Sequence, residues 1–305
     1  MIPRIVYAID QSPLYRLSSK RKLLSLLRIS RSRLQKLQSD DLYRVYDLKD
    51  HGKTRTIEEP VSELKRVHKR LHNLLLRVNH PEWLFSGVRG RSYIGNAFHH
   101  AGIGYAMLCD IGSFYQSSQA EYLFRFFSYR LKQAENIAWL ITDISTFNGH
   151  LPTGSPSSQV LAFRAYEPMF QSIRNLADKS GAKFSLYVDD MTISSDRPLR
   201  AGLLKDLEAI VHSYGLQLKR KKTRFCGPRQ WETITGVAIS PGGEPTVPNR
   251  LRHEIKKLST ALRKDGLLPE EVQRLHGLLS AARQISPEFC DDLTRRVCHI
   301  MHASQ

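Results

Sequence analysis

Two apolar runs separated by a pair of acids limit the possible folds more than any other feature of this chain. Phe184-Ser185-Leu186-Tyr187-Val188 leads into Asp189-Asp190, and Met191-Thr192-Ile193 follows at once. Apolar and β-branched residues on both sides of a two-residue polar break predict a β-hairpin with both carboxylates at its tip. Adjacent carboxylates repel one another unless cations neutralise them. Mg²⁺ suits oxygen ligands and commonly holds one or two carboxylates together with substrate phosphates. An Asp-Asp pair alone is most often a solvated turn, so its meaning depends on the rest of the chain.

Charge narrows the choice of partner. The 305 residues carry 46 Lys+Arg against 29 Asp+Glu, a formal net charge of +17. Such an excess points to a polyanion, nucleic acid ahead of a membrane surface. No run of about 18 apolar residues exists, so no transmembrane helix is expected. The first ten residues lack the cationic and apolar regions of a signal peptide. Cys109, Cys226, Cys290 and Cys298 form no C-x-x-C pair, which suits a reduced, cytoplasmic setting. Cys298-His299 with His302 has too few cysteines nearby for a zinc site, and His253-Glu254 lacks the second histidine of a metalloprotease helix.

Periodicity predicts helices over 13–38 (with Ser30 capping a second short one), 62–78, 118–144, 157–178 and 199–214. Strands are predicted at 43–48 and 53–57, a hairpin turning at His51-Gly52, and at 105–109, 224–226 and 231–239. Pro241-Gly242-Gly243 marks a domain boundary. Beyond it Leu251, Ile255, Leu258 and Leu262 recur at helical spacing, and another helix starts near Pro269. The expected class is an α+β catalytic unit with a helical C-terminal module.

Asp110 closes the strand at 105–109. If that strand lies beside the Asp189-Asp190 hairpin, three carboxylates converge and can hold two divalent ions about 4 Å apart. The ordered set Leu108-Cys109-Asp110-Ile111-x-x-Phe114-Tyr115, Leu151-Pro152-Thr153-Gly154-Ser155-Pro156-Ser157-Ser158 and Tyr187-Val188-Asp189-Asp190 resembles motifs A, B and C of reverse transcriptases. Gly215-Leu216-Gln217-Leu218 leading to Lys221-Lys222-Thr223 looks like motif D. Asn96-Ala97-Phe98-His99-His100 and Ile234-Thr235-Gly236 resemble the N-A-x-x-H and V-T-G elements of bacterial retron reverse transcriptases, with isoleucine for valine.

The resemblance covers about residues 40–300 and implies a right-hand polymerase: fingers and palm, with an antiparallel sheet, over 1–240 and a helical thumb over 241–305. It implies that Asp110, Asp189 and Asp190 hold two Mg²⁺ ions, with Mn²⁺ as an alternative. Lys222, or Lys221, would protonate leaving pyrophosphate. Tyr115 would gate the sugar 2′-hydroxyl in favour of deoxynucleotides. Lys53 and Arg55 would grip the incoming triphosphate, with Thr153 and Gly154 beside the nucleotide. Asn96, His100, Ile234, Thr235 and Gly236 would engage RNA, as would Arg252 and Lys256 on a basic thumb helix.

Further partners implied are a cognate noncoding RNA (msr-msd), its branched DNA product, deoxynucleotides, an effector protein encoded nearby in an antiphage system, and host RNase H, with no membrane. Another bacterial reverse transcriptase, or a silent RNA-binding scaffold, are the rival readings. Three positions depart from the family pattern: Thr153 stands where glutamine is usual, Gln159 where proline is usual, and Val188 where retrons favour alanine. None removes a metal ligand. The bland readings are a solvated edge strand for Lys53 and Arg55, core for Tyr115, a structural histidine for His100, and surface charge for Lys219-Arg220-Lys221-Lys222.

Overall fold

The computed structural model describes residues 6–37, 42–50, 53–228, 230, 232–264 and 266–303. Serine caps start the first helices. In α1 (Lys20–Leu27) the Ser19 hydroxyl accepts from Lys22 N at 3.3 Å, and in α2 (Arg31–Lys36) Ser30 accepts from Arg33 N at 3.4 Å. The helical stretch expected from residue 13 begins later, because Arg16 (φ 50°) and Arg28 (φ 60°) interrupt the spiral. β1 (Tyr43–Asp50) and β2 (Lys53–Pro60) form the antiparallel hairpin; its expected turn at 51–52 lies outside the described residues. α3 (Ser62–Leu75) buries Leu64, Val67, His68, Leu71, Leu74 and Leu75, the stripe that helical spacing dictates.

α4 (Tyr93–His99) is capped by Ser92 and leads into β3 (Tyr105–Asp110). After α5 (Phe114–Ser117) comes α6 (Ala120–Arg125), and then α7 (Glu135–Ser145). The single helix expected over 118–144 is split by a π turn at Phe126–Arg130 and by Lys132 at φ 50°. Phe126 and Phe127, adjacent in sequence, are both buried at that wide turn. α8 (Ser158–Lys179) is apolar nearly all round and packs against α6, β4 (Lys183–Tyr187) and α9 (Leu203–Ser213).

The main sheet has the order β4-β5-β3-β6, with β5 (Asp190–Ser195), β6 (Arg224–Cys226) and every pair antiparallel. A second sheet holds β7 (Glu232–Ile234), β8 (Val237–Ile239) and β9 (Pro245–Thr246). The strand expected over 231–239 folds back on itself there. Thr235 (φ 45°) and Gly236 (φ 88°) take positive φ in succession, the requirement of a tight two-residue hairpin turn.

α10 (Asn249–Lys264), α11 (Pro269–Ile285) and α12 (Asp291–Ala303) complete the chain. Apolar burial divides into two clusters. One fills the space between the main sheet, α1–α3 and α5–α9. The other joins Ile234, Val237 and Ile239 to α10–α12, with Ile94 and Ala97 of α4. Among the described residues no helix is long and apolar enough to cross a membrane.

Candidate active site

Pairing of β3 with β5 sets Asp110 directly opposite Asp190. Asp110 follows Met107, Leu108 and Cys109 on a buried strand and is itself only 3% exposed. The two hairpin acids do not share the tip, as the sequence led one to expect. Val188 and Asp189 form the turn, and Asp190 opens β5 opposite Tyr187. Val188 adopts φ 60°, a costly conformation for a β-branched residue. Its N–H donates to Ser86 Oγ at 2.8 Å, and Asp189 O accepts from Ile111 N at 3.2 Å. The strained turn is thereby fastened beside the strand end that carries Asp110.

The three carboxylates feel one another. Burial, then the charge of Asp110, raises the Asp189 pKa above the usual carboxylate range. Burial, then Asp189 and Asp110, pushes Asp190 up to about 6. Asp110 meets two lysines. Lys222 Nζ bonds Oδ2, and Lys219 Nζ lies 2.7 Å from Oδ1. The Lys219 approach is off the hydrogen-bonding direction, so Oδ1 is buried without a hydrogen bond. Burial lowers the Lys222 pKa, but Asp110, with Asp190 and Asp189, outweighs it and the net shift is upward.

Sequence alone groups Lys219 with a basic run facing phosphate; its ammonium instead faces Asp110. The cause is the 3₁₀ turn Arg220–Lys222, whose three-residue period brings positions 219 and 222 to one side. Lys219 N also donates to Asp110 O at 2.7 Å, and Gly112 N to Gln217 O at 2.7 Å.

Among the described residues no three His, Cys, Asp or Glu side chains are already gathered in a metal-binding arrangement. Asp110 turned toward lysines accounts for that. The donor set still fits a hard divalent cation. Burial and neighbouring acids raise the pKa of Asp189 and Asp190, one Asp110 oxygen lacks a hydrogen bond, and a cavity of about 530 Å³ opens onto Asp110 and Asp190. Tyr115 is half-buried with its ring stacked on Phe114 at 5.9 Å; burial, then Asp189, raises its hydroxyl pKa.

The loop at 152–155 is bound to β2. Thr153 Oγ1 donates to Thr56 O at 2.9 Å and accepts from Glu58 N at 3.0 Å. Thr153 N donates to Glu58 Oε2 at 3.2 Å, and Gly154 N to Glu58 O at 3.1 Å. The Thr153 hydroxyl is thus committed to β2 backbone, and with Gly154 it fastens the loop to the strand carrying exposed Arg55. The Lys53 side chain lies outside the described residues.

Ser155 Oγ donates to His68 Nδ1 at 2.7 Å, because His68 Nε2 must donate to Ile144 O at 2.6 Å. Burial lowers the His68 pKa to about 4, so the ring stays neutral. Sequence reasoning missed Glu58 and His68. The position of His68 inside the apolar stripe of α3 was the available signal.

The expected RNA contacts need correction. His100 is 2% exposed, with Nδ1 2.5 Å from Ser194 Oγ and Nε2 2.7 Å from Ser185 Oγ. Asn96 and Ile234 are buried as well. These side chains face the interior because α4 packs against β4 and β8. Thr235 is half-buried and Gly236 exposed, and both border the carboxylate cavity. On α10, Lys256 is exposed. The Arg252 guanidinium is committed in part: it bonds Val247 O at 2.8 Å and Thr246 Oγ1 at 2.7 Å, over the Phe289 ring.

An antiparallel sheet with one acid ending an inner strand and two on the adjoining hairpin is the palm of a right-hand polymerase. The sequence matches the family described as reverse transcriptase (RNA-dependent DNA polymerase) over residues 19–239, and the chain belongs to that family. It is similar to the retron Ec86 reverse transcriptase of Escherichia coli, 30% identical over 66% of this chain and 64% of that one. The retron Se72 reverse transcriptase of Salmonella heidelberg is 25% identical over 74% of this chain and 62% of the relative. The chain thus spans less than two thirds of the length of these curated relatives. A solved apo telomerase from Candida tropicalis, truncated from its C-terminal domain, aligns with a TM-score of 0.50 and 10% identity. That alignment covers 68% of this chain and 55% of the telomerase, a likeness of fold alone.

Proposed function

We propose that the chain is an RNA-directed DNA polymerase of a retron, and the observation that carries this reading is the pairing of Asp110 with Asp190, with Asp189 in the adjoining turn, at one end of the two inner strands of the main sheet. Asp110, Asp189 and Asp190 would hold Mg²⁺, or Mn²⁺ in its place, which when bound supplies activation of the attacking hydroxyl and neutralises charge on the leaving pyrophosphate. Lys222 holds a proton on Nζ suited to that leaving group. Tyr115 keeps a neutral ring against the sugar and disfavours a 2′-hydroxyl. Arg55, with Lys53, offers a fork for the triphosphate. Thr153 and Gly154 act by fixing this hairpin to the 152–155 loop.

The division into fingers and palm over 1–240 and a thumb over 241–305 belongs to the same reading. Separate packing of α10–α12 supports it and draws β7–β9 to the thumb's side. The retron branch rests on similarity to retron relatives and on the Asn96–His100 and Ile234–Gly236 elements. It implies a dedicated structured RNA as template and primer, a branched 2′,5′-linked product, an effector partner in antiphage defence, RNase H supplied by the host, and a cytoplasmic location.

Extension of a primer on an RNA template, with deoxynucleotides against ribonucleotides, tests the polymerase reading. Wild type is expected to add deoxynucleotides, and Asp189→Asn to stop it. RNA copurified with the protein should carry covalently attached, branched DNA. Extension with unbranched product would leave another bacterial reverse transcriptase, and no extension at all would leave a binding scaffold.

A further inference from the structure

The two sequence elements expected to touch RNA meet each other at the turn between β7 and β8. Thr235 and Gly236 there take φ 45° and 88° in succession. Glycine adopts such values freely, whereas a β-branched threonine is strained and must be held. Both residues border the cavity onto which Asp110 and Asp190 open, and Gly236 also lines a cavity of about 950 Å³ running to Arg250 and Arg252.

The support comes from α4. Thr235 Oγ1 gives its one proton to Tyr93 O at 2.7 Å, so toward Asn96 it can only accept, from Nδ2 at 3.4 Å. That fixes the amide orientation and leaves Asn96 Oδ1 buried without a hydrogen bond. Asn96 is 0% exposed. An apolar side chain of similar size would avoid the unpaired acceptor, so packing alone does not account for an asparagine here.

The other end of α4 is anchored by His100 to Ser194 of β5 and Ser185 of β4, the strands flanking the Val188-Asp189 turn. Ile94 and Ala97 meanwhile pack with Ile234 and Val237. One short helix thus ties the acidic hairpin to the Thr235-Gly236 turn.

Building on the polymerase reading, we infer that Asn96 is a positioning residue: it holds Thr235 so that the turn stands at a fixed place on the rim of the carboxylate cavity, where the sugar–phosphate backbone of an entering nucleic acid meets it. Asn96 touches no substrate and acts through Thr235.

Thr235→Val keeps the side-chain shape without the hydroxyl, Thr235→Ser keeps the hydroxyl, and Asn96→Leu removes the amide. The readouts are KM for primer–template, kcat, and hydrogen–deuterium exchange of residues 232–239 in the protein without nucleic acid. Thr235→Val and Asn96→Leu are each expected to raise KM roughly five- to tenfold, the scale of one hydrogen bond. Exchange in 232–239 should quicken and kcat change less. Thr235→Ser should behave as wild type, and the double variant should be no worse than Thr235→Val alone, because that change already removes the Asn96 contact together with the bond to Tyr93 O. Unchanged KM, with or without faster exchange, would overturn the inference, as would strictly additive effects. Wild type unable to copy RNA would instead overturn the polymerase reading, while exchange would still report on the Asn96–Thr235 link.

Discussion

Asp190 makes the cost of gathering acids visible in one side chain. Its pKa in the fold, about 6, lies well above the 3.8 of an ordinary aspartate. A raised carboxylate contributes stability below its unfolded pKa and loses it as pH rises through the folded one. At neutral pH the Asp190 charge therefore destabilises the protein without added divalent ions. Asp190→Asn in EDTA is expected to raise Tm, by more at about pH 7.5 than at about pH 5; a lower Tm at the higher pH would contradict this balance.

His100 shows the opposite sign. Burial, then His99 and Lys183, lowers its pKa from 6.5 to about 3, so its neutral form contributes stability above pH 6.5 that is lost as pH falls toward 3. Urea unfolding should show this group costing about 2 kcal/mol at about pH 5 relative to about pH 7.5. His100→Gln should flatten that slope. An unchanged slope would mean that the ring is not neutral in the fold.

Among elements, the joint between β2 and the 152–155 loop leaves no room for a side chain. A Cβ at Gly154 would lie 2.8 Å from Glu58 O and 2.9 Å from Glu59 Cα, both backbone atoms that cannot swing aside. Gly154→Ala is expected to cost about 1–3 kcal/mol of stability and to lower kcat, read by thermal melting and single-nucleotide extension. Wild-type values in both would show that the loop and hairpin part freely.

Most elements were legible because α3 keeps a helical period and β3 and β4 are short, continuously buried runs bounded by polar residues. The misses share one cause, backbone that side-chain type argues against. Valine at φ 60° moved the acidic turn by one residue, and threonine at φ 45° hid a hairpin inside an apparent strand. The π turn was hidden because Phe126 and Phe127 are compatible with an unbroken helix.

For the whole molecule, the acids were legible because their order and spacing survive without any knowledge of packing. What surrounds them was not. Residue type does not say which way a side chain faces, so Asn96 and His100 read as RNA contacts although both lie inside. Glu58 and Thr153 meet across 95 positions, a distance no local pattern spans.

The net charge of +17 and the exposed Lys256 lead to a molecule-wide expectation. RNA affinity should fall steeply and linearly in log–log form with salt, and Lys256→Glu should reduce the slope by about one. A flat salt response would remove α10 from the RNA path.

Catalysis by this chain requires three acids to share one cation site, whose Asp110 is faced by Lys219 and Lys222. Mn²⁺ titration followed by electron paramagnetic resonance, on the full chain with primer–template and a non-extendable deoxynucleotide, tests it most directly. Wild type should bind Mn²⁺ in competition with Mg²⁺, and Asp110→Asn and Asp189→Asn should each abolish that binding. Equal Mn²⁺ binding by wild type and both variants would contradict it.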